Sequence, residues 1–208
     1  QMVARLRAAG ALFIGKTNTP EFGLGSNTFN PVYGKTKNPY DLTRTCGGSS
    51  GGAAVALATG MLSISDGSDM MGSLRNPAAW NNVYGLRPTW GLVPPEPSGE
   101  IFLSQLSTLG PMARSPKDLA LILDVQANDF DNKSYVSQSK SFSNFTAQPR
   151  MKGIKIGWLG DWGGTLTFED ELLDLAQNAL NEMSSLGATI HDLKAPFAMN
   201  DIWTSWCD

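Results

Sequence analysis

Histidine is all but missing from this sequence, since His191 is the only one among 208 residues. It lies in a strand-like run far from the glycine-rich segments, so the commonest general base for a serine nucleophile has no well-placed candidate. Cysteine is nearly as scarce. Cys46 and Cys207 are far apart and neither has a second thiol near it, which argues against a disulfide scaffold and a cysteine-rich zinc site and fits a reducing, cytoplasmic setting. No cluster of His, Cys and carboxylates has ligand spacing, so no metal is expected.

Long apolar runs are absent as well. Ala53 to Met61 is short and broken by Thr59 and Gly60, against the ~18–20 apolar residues of a membrane span, so no membrane association is expected. A basic excess is also lacking: the net charge is −3, the charged fraction is 17% and there is no Lys/Arg-rich run, which leaves nucleic-acid binding without support. No internal repeat is evident. The chain opens at Gln1 with neither an initiator methionine nor a basic-then-apolar leader, and Val3 to Ala9 already reads as a helix in progress, so an excised part of a longer protein is expected. Without a leader, the sequons at Asn132 and Asn144 are set aside.

What the chain has is glycine, 22 residues of it, and a hydrophobic share of 41% that supports a packed core. Two segments pair glycine with serine: Cys46-Gly47-Gly48-Ser49-Ser50-Gly51-Gly52, and Asp69-Met70-Met71-Gly72-Ser73-Leu74-Arg75. Glycine lets main-chain N–H groups come close to a reacting oxygen, which is what acyl transfer at a serine requires. Taken alone, Ser73 fits a nucleophile or a helix cap; Ser49 and Ser50 carry the same ambiguity, and their glycine-flanked run also fits a flexible turn.

Local patterning supplies the elements. Residues 2–9 read as a helix stopped by Gly10, Ala11 to Ile14 as a short buried strand, and residues 17–45 as a long loop with a turn at Asn38-Pro39. Ala53 to Ala58 reads as a helix buried on every face. A strand near Leu62 to Ser65, a helix over Pro77 to Asn82 and a strand at Val83 to Leu86 follow. Ser115-Pro116-Lys117-Asp118 is a strong helix start. Residues 128–150 read as a polar surface connector. Beyond it, Ile154 to Trp158 alternates like a strand, Leu172, Leu173, Ala176, Leu180, Met183 and Leu186 keep helical spacing up to Gly187, and Thr189 to Leu193 reads as a strand. Strands alternating with helices predict an α/β fold with a mixed or parallel sheet covered on both faces.

One literal motif fails on context. Gly10 to Thr17 matches the phosphate-loop pattern, but its four middle residues are the expected strand and Asn18-Thr19-Pro20 follow where a helix should begin. Lys16 is therefore a structural or loop lysine.

The Gly47–Gly52 core, the Asp69-to-Pro77 segment and Gly85-Leu86-Arg87-Pro88-Thr89, in this order and spacing, resemble the amidase signature family. Gly10 to Asn18 and Leu109 to Arg114 support the resemblance, which is dense over residues 2–127 and thinner over 151–193. It implies an α/β fold whose mixed sheet carries helices on both faces, incomplete at both ends here. Residues 1–127 would be the signature core, 128–150 a connector, and 151–208 the start of the C-terminal part.

The resemblance further implies Ser73 as nucleophile and Ser49 as bridging serine after a cis peptide bond. It implies an oxyanion hole from the amides of Met70, Met71, Gly72 and Ser73, support from Ser50 and Asp69, and Gly23 at the acyl pocket. The substrate would be a small amide, with neither metal nor organic cofactor; a homodimer stays open. Where family members often carry glycine, Met71 stands, which is unstrained only at negative φ. The family's catalytic lysine lies in a glycine-proline strand motif upstream of the segment that holds Lys16, so the 208 residues are expected to lack it and to be inactive alone. An amidotransferase subunit of the same family and a non-catalytic scaffold remain the other readings.

Overall fold

The computed structural model describes residues 1–94, 105–127, 141–144 and 151–207. The chain divides into two compact units, Gln1–Phe145 and Thr146–Asp208. Of the expected polar connector, only 141–144 falls within the described residues.

The first unit is built on a three-stranded antiparallel sheet. Its strands are β3 (Ile64–Asp69), β4 (Tyr84–Gly85) and β5 (Thr108–Ala113), in the order β3-β5-β4. A two-residue hairpin, β1 (Phe29–Asn30) with β2 (Gly34–Lys35), decorates the long loop. The central strand β5 is hidden in the sequence by Gly110-Pro111. Pro111 accepts the Leu86 N–H at 3.1 Å and cannot return the bond, an arrangement tolerated because β4 has ended at Gly85.

Register decides which helix covers which face. Ser65 pairs with Met112, Gly67 with Gly110 and Asp69 with Thr108, so these residues share one face; Ile64, Ala113 and Leu109 point to the other. Helix α2 (Gly51–Ala58) and helix α3 (Arg75–Trp80) pack on the first face through Ala53, Ala54, Leu57, Leu74, Ala78 and Met112. Helix α1 (Met2–Ala8) and helix α4 (Pro116–Ala127) take the other, with Met2, Leu6, Ile122 and Leu123 packed against Ile64 and Leu109. Small residues let α2 lie flush with the sheet, and helices therefore cover both faces.

Local signals set the helix ends. Gly10, at φ +88°, closes α1 while the N–H groups of Gly10 and Ala11 return to Arg7 and Leu6. Helix α4 starts as its sequence asks: the Ser115 Oγ accepts the Asp118 N–H at 3.1 Å and donates to the Asp118 carboxylate at 2.7 Å. The expected turn at Asn38-Pro39 forms around the Asn38 side chain, which accepts the Tyr40 N–H at 2.9 Å.

Two expectations are corrected. Ala11 to Ile14 is neither strand nor buried: Leu12 is 91% and Ile14 75% exposed, and among the described residues no strand pairs with them. A strand exists only through a hydrogen-bonded neighbour, which a local pattern does not supply. The strand expected over Leu62 to Ser65 instead runs from Ile64 to Asp69, which carries it directly into the second glycine–serine segment.

The second unit is a βαβ arrangement. Strand β6 (Lys155–Trp158) pairs in parallel with β7 (Thr189–Asp192), and helix α5 (Leu172–Ser185) connects them. Within the expected apolar set, Leu173, Ala176, Leu180 and Met183 turn inward, whereas Leu172 and Leu186 are exposed. Helix α6 (Met199–Cys207), not anticipated, follows. Both strand directions thus occur, antiparallel in one unit and parallel in the other. No helix among the described residues is long and apolar enough to cross a membrane.

Candidate active site

The two glycine–serine segments meet at the first unit's α2–α3 face. The Ser50 N–H donates to the Ser73 carbonyl at 3.2 Å, tying the start of α2 to the turn before α3. The Ser50 Oγ, otherwise buried, faces the main chain of Ser68, accepting its N–H at 3.3 Å and donating to its carbonyl at 3.4 Å. Ser68 can be served this way because its pairing position in β3 turns both groups away from β5. Both expected serine segments are thereby anchored to the end of β3.

Asp69 organises the second segment. It is fully buried, and its carboxylate accepts the N–H groups of Gly72 at 2.7 Å, Leu74 at 3.2 Å and Arg75 at 3.4 Å. Arg75 adds a two-pronged pair, Nε at 2.9 Å and Nη2 at 3.0 Å. Arg87 approaches from β4, its Nε 3.4 Å from the carboxylate and 3.3 Å from the Asp69 carbonyl. Burial pushes this carboxyl up, but the Arg75 guanidinium and the Gly72 and Leu74 amides outweigh it and hold it below the usual carboxylate range. Arg75 and Arg87 received no role from the sequence; once Asp69 is buried at the end of β3, its charge requires partners of opposite sign, and these two arginines supply them.

The cradle divides the turn's amides. The Gly72 N–H is committed to Asp69, while those of Met70, Met71 and Ser73 make no hydrogen bond among the described residues. Gly72 takes φ +125°, but Met70 and Met71 are not among the positive-φ residues, so methionine in place of glycine imposes no backbone strain here. The Ser49 and Ser73 hydroxyls likewise make no hydrogen bond among the described residues; Ser49 is 6% exposed and Ser73 half-buried. The Gly48–Ser49 peptide is cis.

Gly23, at φ +73°, sits on an exposed stretch with no atom within 4 Å of where its Cβ would be. That stretch leads to Ser26 and Asn27, whose main chain passes 3.0 Å from the Cβ position of Gly48. Lys16 is exposed, two residues before Asn18, which packs on Gly52. His191 is exposed on β7 of the other unit. Cys46 is fully buried; burial pushes its thiol up, and its Sγ lies 3.1 Å from the Thr36 carbonyl. Thr28, missed in the sequence, is buried against the first segment.

Comparisons with known proteins identify relatives of this chain. The amidase family model matches residues 1–204. A glutamyl-tRNA(Gln) amidotransferase subunit of Alkaliphilus metalliredigens (strain QYMF) is 41% identical over 202 residues, 94% of this chain and 40% of the relative. A bacterial aryl acylamidase of the amidase signature enzymes superposes with a TM-score of 0.89 at 31% identity, over 99% of this chain and 42% of that one. The peptide amidase of Stenotrophomonas maltophilia follows with a TM-score of 0.76 at 33% identity, over 93% and 41%. The chain thus spans about 40% of the length of the curated relatives it matches. From the family match along nearly its whole length, and from the folds it shares, the chain belongs to the amidase signature family.

Proposed function

We propose that the protein hydrolyses a carboxylic amide through an acyl-enzyme on Ser73. Ser73 Oγ attacks the carbonyl carbon as its proton passes to Ser49, which hands its own hydroxyl proton on to a basic lysine, and a proton returns by the same relay to the departing amine as the C–N bond breaks. Water cleaves the Ser73 ester, releasing the acid and restoring the hydroxyl. The amides of Met70, Met71 and Ser73 donate to the oxyanion, each worth on the order of 3 kcal/mol in comparable sites. Gly72, its N–H spent on Asp69, shapes the turn instead. Gly23 borders the acyl side.

The single observation carrying this reading is the joining of two unbonded serine hydroxyls' segments by the Ser50–Ser73 hydrogen bond, beside amides left without partners among the described residues. The proton acceptor beyond Ser49 is taken, on the family resemblance, to be a lysine outside residues 1–208, so the 208 residues alone are expected to hydrolyse nothing measurable. The two cysteines, neither in a disulfide, support a cytoplasmic setting.

The 41% identity to an amidotransferase component favours a second reading, in which ammonia is passed on within a complex. Purified full-length gene product decides between them. Hydrolysis of small aliphatic or aryl amides by the protein alone, with loss of activity and of fluorophosphonate labelling in Ser73→Ala, supports the first. Ammonia release only in the presence of a partner supports the second, and a protein that neither hydrolyses nor labels at Ser73 is a scaffold.

A further inference from the structure

We infer that Thr28 is a positioning residue for Ser49, acting through its hydroxyl. The inference rests on the reading of Ser49 as proton relay. Thr28 is 2% exposed. Its Oγ1 donates to the Gly47 carbonyl at 2.8 Å, and the Ser49 carbonyl lies within 3.5 Å of the same oxygen. Its N–H also donates to the Gly47 carbonyl, at 3.1 Å. One residue therefore holds the main chain on both sides of the Gly48–Ser49 peptide. Cys46 Sγ, 3.4 Å from the Gly47 oxygen, is the other side-chain donor there, and a thiol is a weak one.

Thr28 is itself fixed. Its carbonyl accepts the Thr36 N–H at 2.9 Å, and the next residues back, Ser26 and Asn27, lie against Gly48. The first turn of α2 rests on the same hydroxyl: a Cβ on Gly51 would overlap Thr28 Oγ1. Ser49 is thus gripped by Thr28 on one side, and its neighbour Ser50 by Ser73 on the other. The Cα–Cβ direction of Ser49, and hence the place of its hydroxyl, follows from this grip. A relay works only at hydrogen-bond distance, and a displacement near 1 Å costs about 100-fold in rate.

The test compares Thr28→Val, which keeps the shape, and the pair Thr28→Ser and Thr28→Ala, which differ only by the hydroxyl, in the full-length protein. The expected result is a loss of about 10- to 100-fold in kcat and in the rate of fluorophosphonate labelling at Ser73 for the Val and Ala variants, with KM unchanged. Thr28→Ser should stay within about 3-fold of wild type, because Gly47 and Ser49 keep their donor. Should Thr28→Val fail to fold, the Ser and Ala pair carries the comparison, with thermal midpoints measured for both. Equal losses in Ser and Ala, or a wild-type rate in Val, overturn the inference while leaving the Ser73 reading intact. A wild-type protein that neither hydrolyses nor labels, like Ser73→Ala, overturns that reading and this inference together.

Discussion

In the segment from Cys46 to Gly52 the glycines are hemmed in by neighbouring atoms, whereas in the segment from Asp69 to Arg75 the one glycine has open space and the chain is held by a carboxylate. A Cβ on Gly52 would stand 2.5 Å from both the N and O of Asn18, and one on Gly48 3.0 Å from the main chain of Ser26 and Asn27. Around Gly72 the nearest atom to such a Cβ is Asn76 Cβ at 3.8 Å. The first segment is positioned by close packing, the second by hydrogen bonds to a buried charge. The turn that carries Ser73 is therefore set by electrostatics, and the segment that carries Ser49 by close packing together with the Thr28 hydroxyl at the Gly47 and Ser49 carbonyls.

Removing the charge should break the second segment most. Asp69→Asn is expected to lower stability by about 3–5 kcal/mol in urea unfolding, because it removes the charge that the Arg75 fork pairs with and turns one of the two acceptor oxygens into an NH2 group facing other donors. The same group predicts an acid response. Its folded-state pKa is lowered, so its contribution is complete above the ordinary value of 3.8 and is lost as the pH falls through the lowered one. Burial pushes Asp124 up, but the Ser141 and Ser143 hydroxyls outweigh it and hold the group down at about 2, so it contributes in the same window. Asp69→Asn should thus flatten the acid limb of the stability curve in part, with Asp124 accounting for the remainder; an unchanged limb would refute the electrostatic account.

The first segment should respond to bulk instead. Gly52→Ala is expected to cost about 2–3 kcal/mol, since the obstructing atoms are Asn18 backbone and cannot swing aside. Its effect should not vary with pH. The smallest change is expected for Gly72→Ala, about 1–2 kcal/mol, arising from φ +125° alone and not from a clash. If Gly72→Ala proved costlier than Gly52→Ala, the contrast between the segments would have to be reversed.

Legibility followed the range of the interaction. The Ser115–Asp118 cap and the glycine stops at Gly10 and Gly187 were readable because donor and acceptor lie within a few residues of each other. The candidate serines were readable because glycine and serine cluster around them, and the resemblance added roles. Strand β5 was not, because Gly110-Pro111 argues against a strand unless one knows that β4 stops at Gly85. Thr28 carried no signal at all: its partners Gly47 and Ser49 lie 19 and 21 positions away.

By itself the sequence determined the turn at Asn38-Pro39, the start of α4, the stops after α1 and α5, and which two glycine-rich segments carry hydroxyls, since these depend on φ preferences and neighbours a few residues apart. Only the tertiary structure decided that Ala11 to Ile14 pairs with no strand among the described residues, that Asp69 takes the Gly72 amide and leaves those of Met70, Met71 and Ser73 unbonded there, and that Thr28 grips Ser49. A hydrogen bond across space requires both partners to be placed, and a one-dimensional pattern names the groups without saying which will meet.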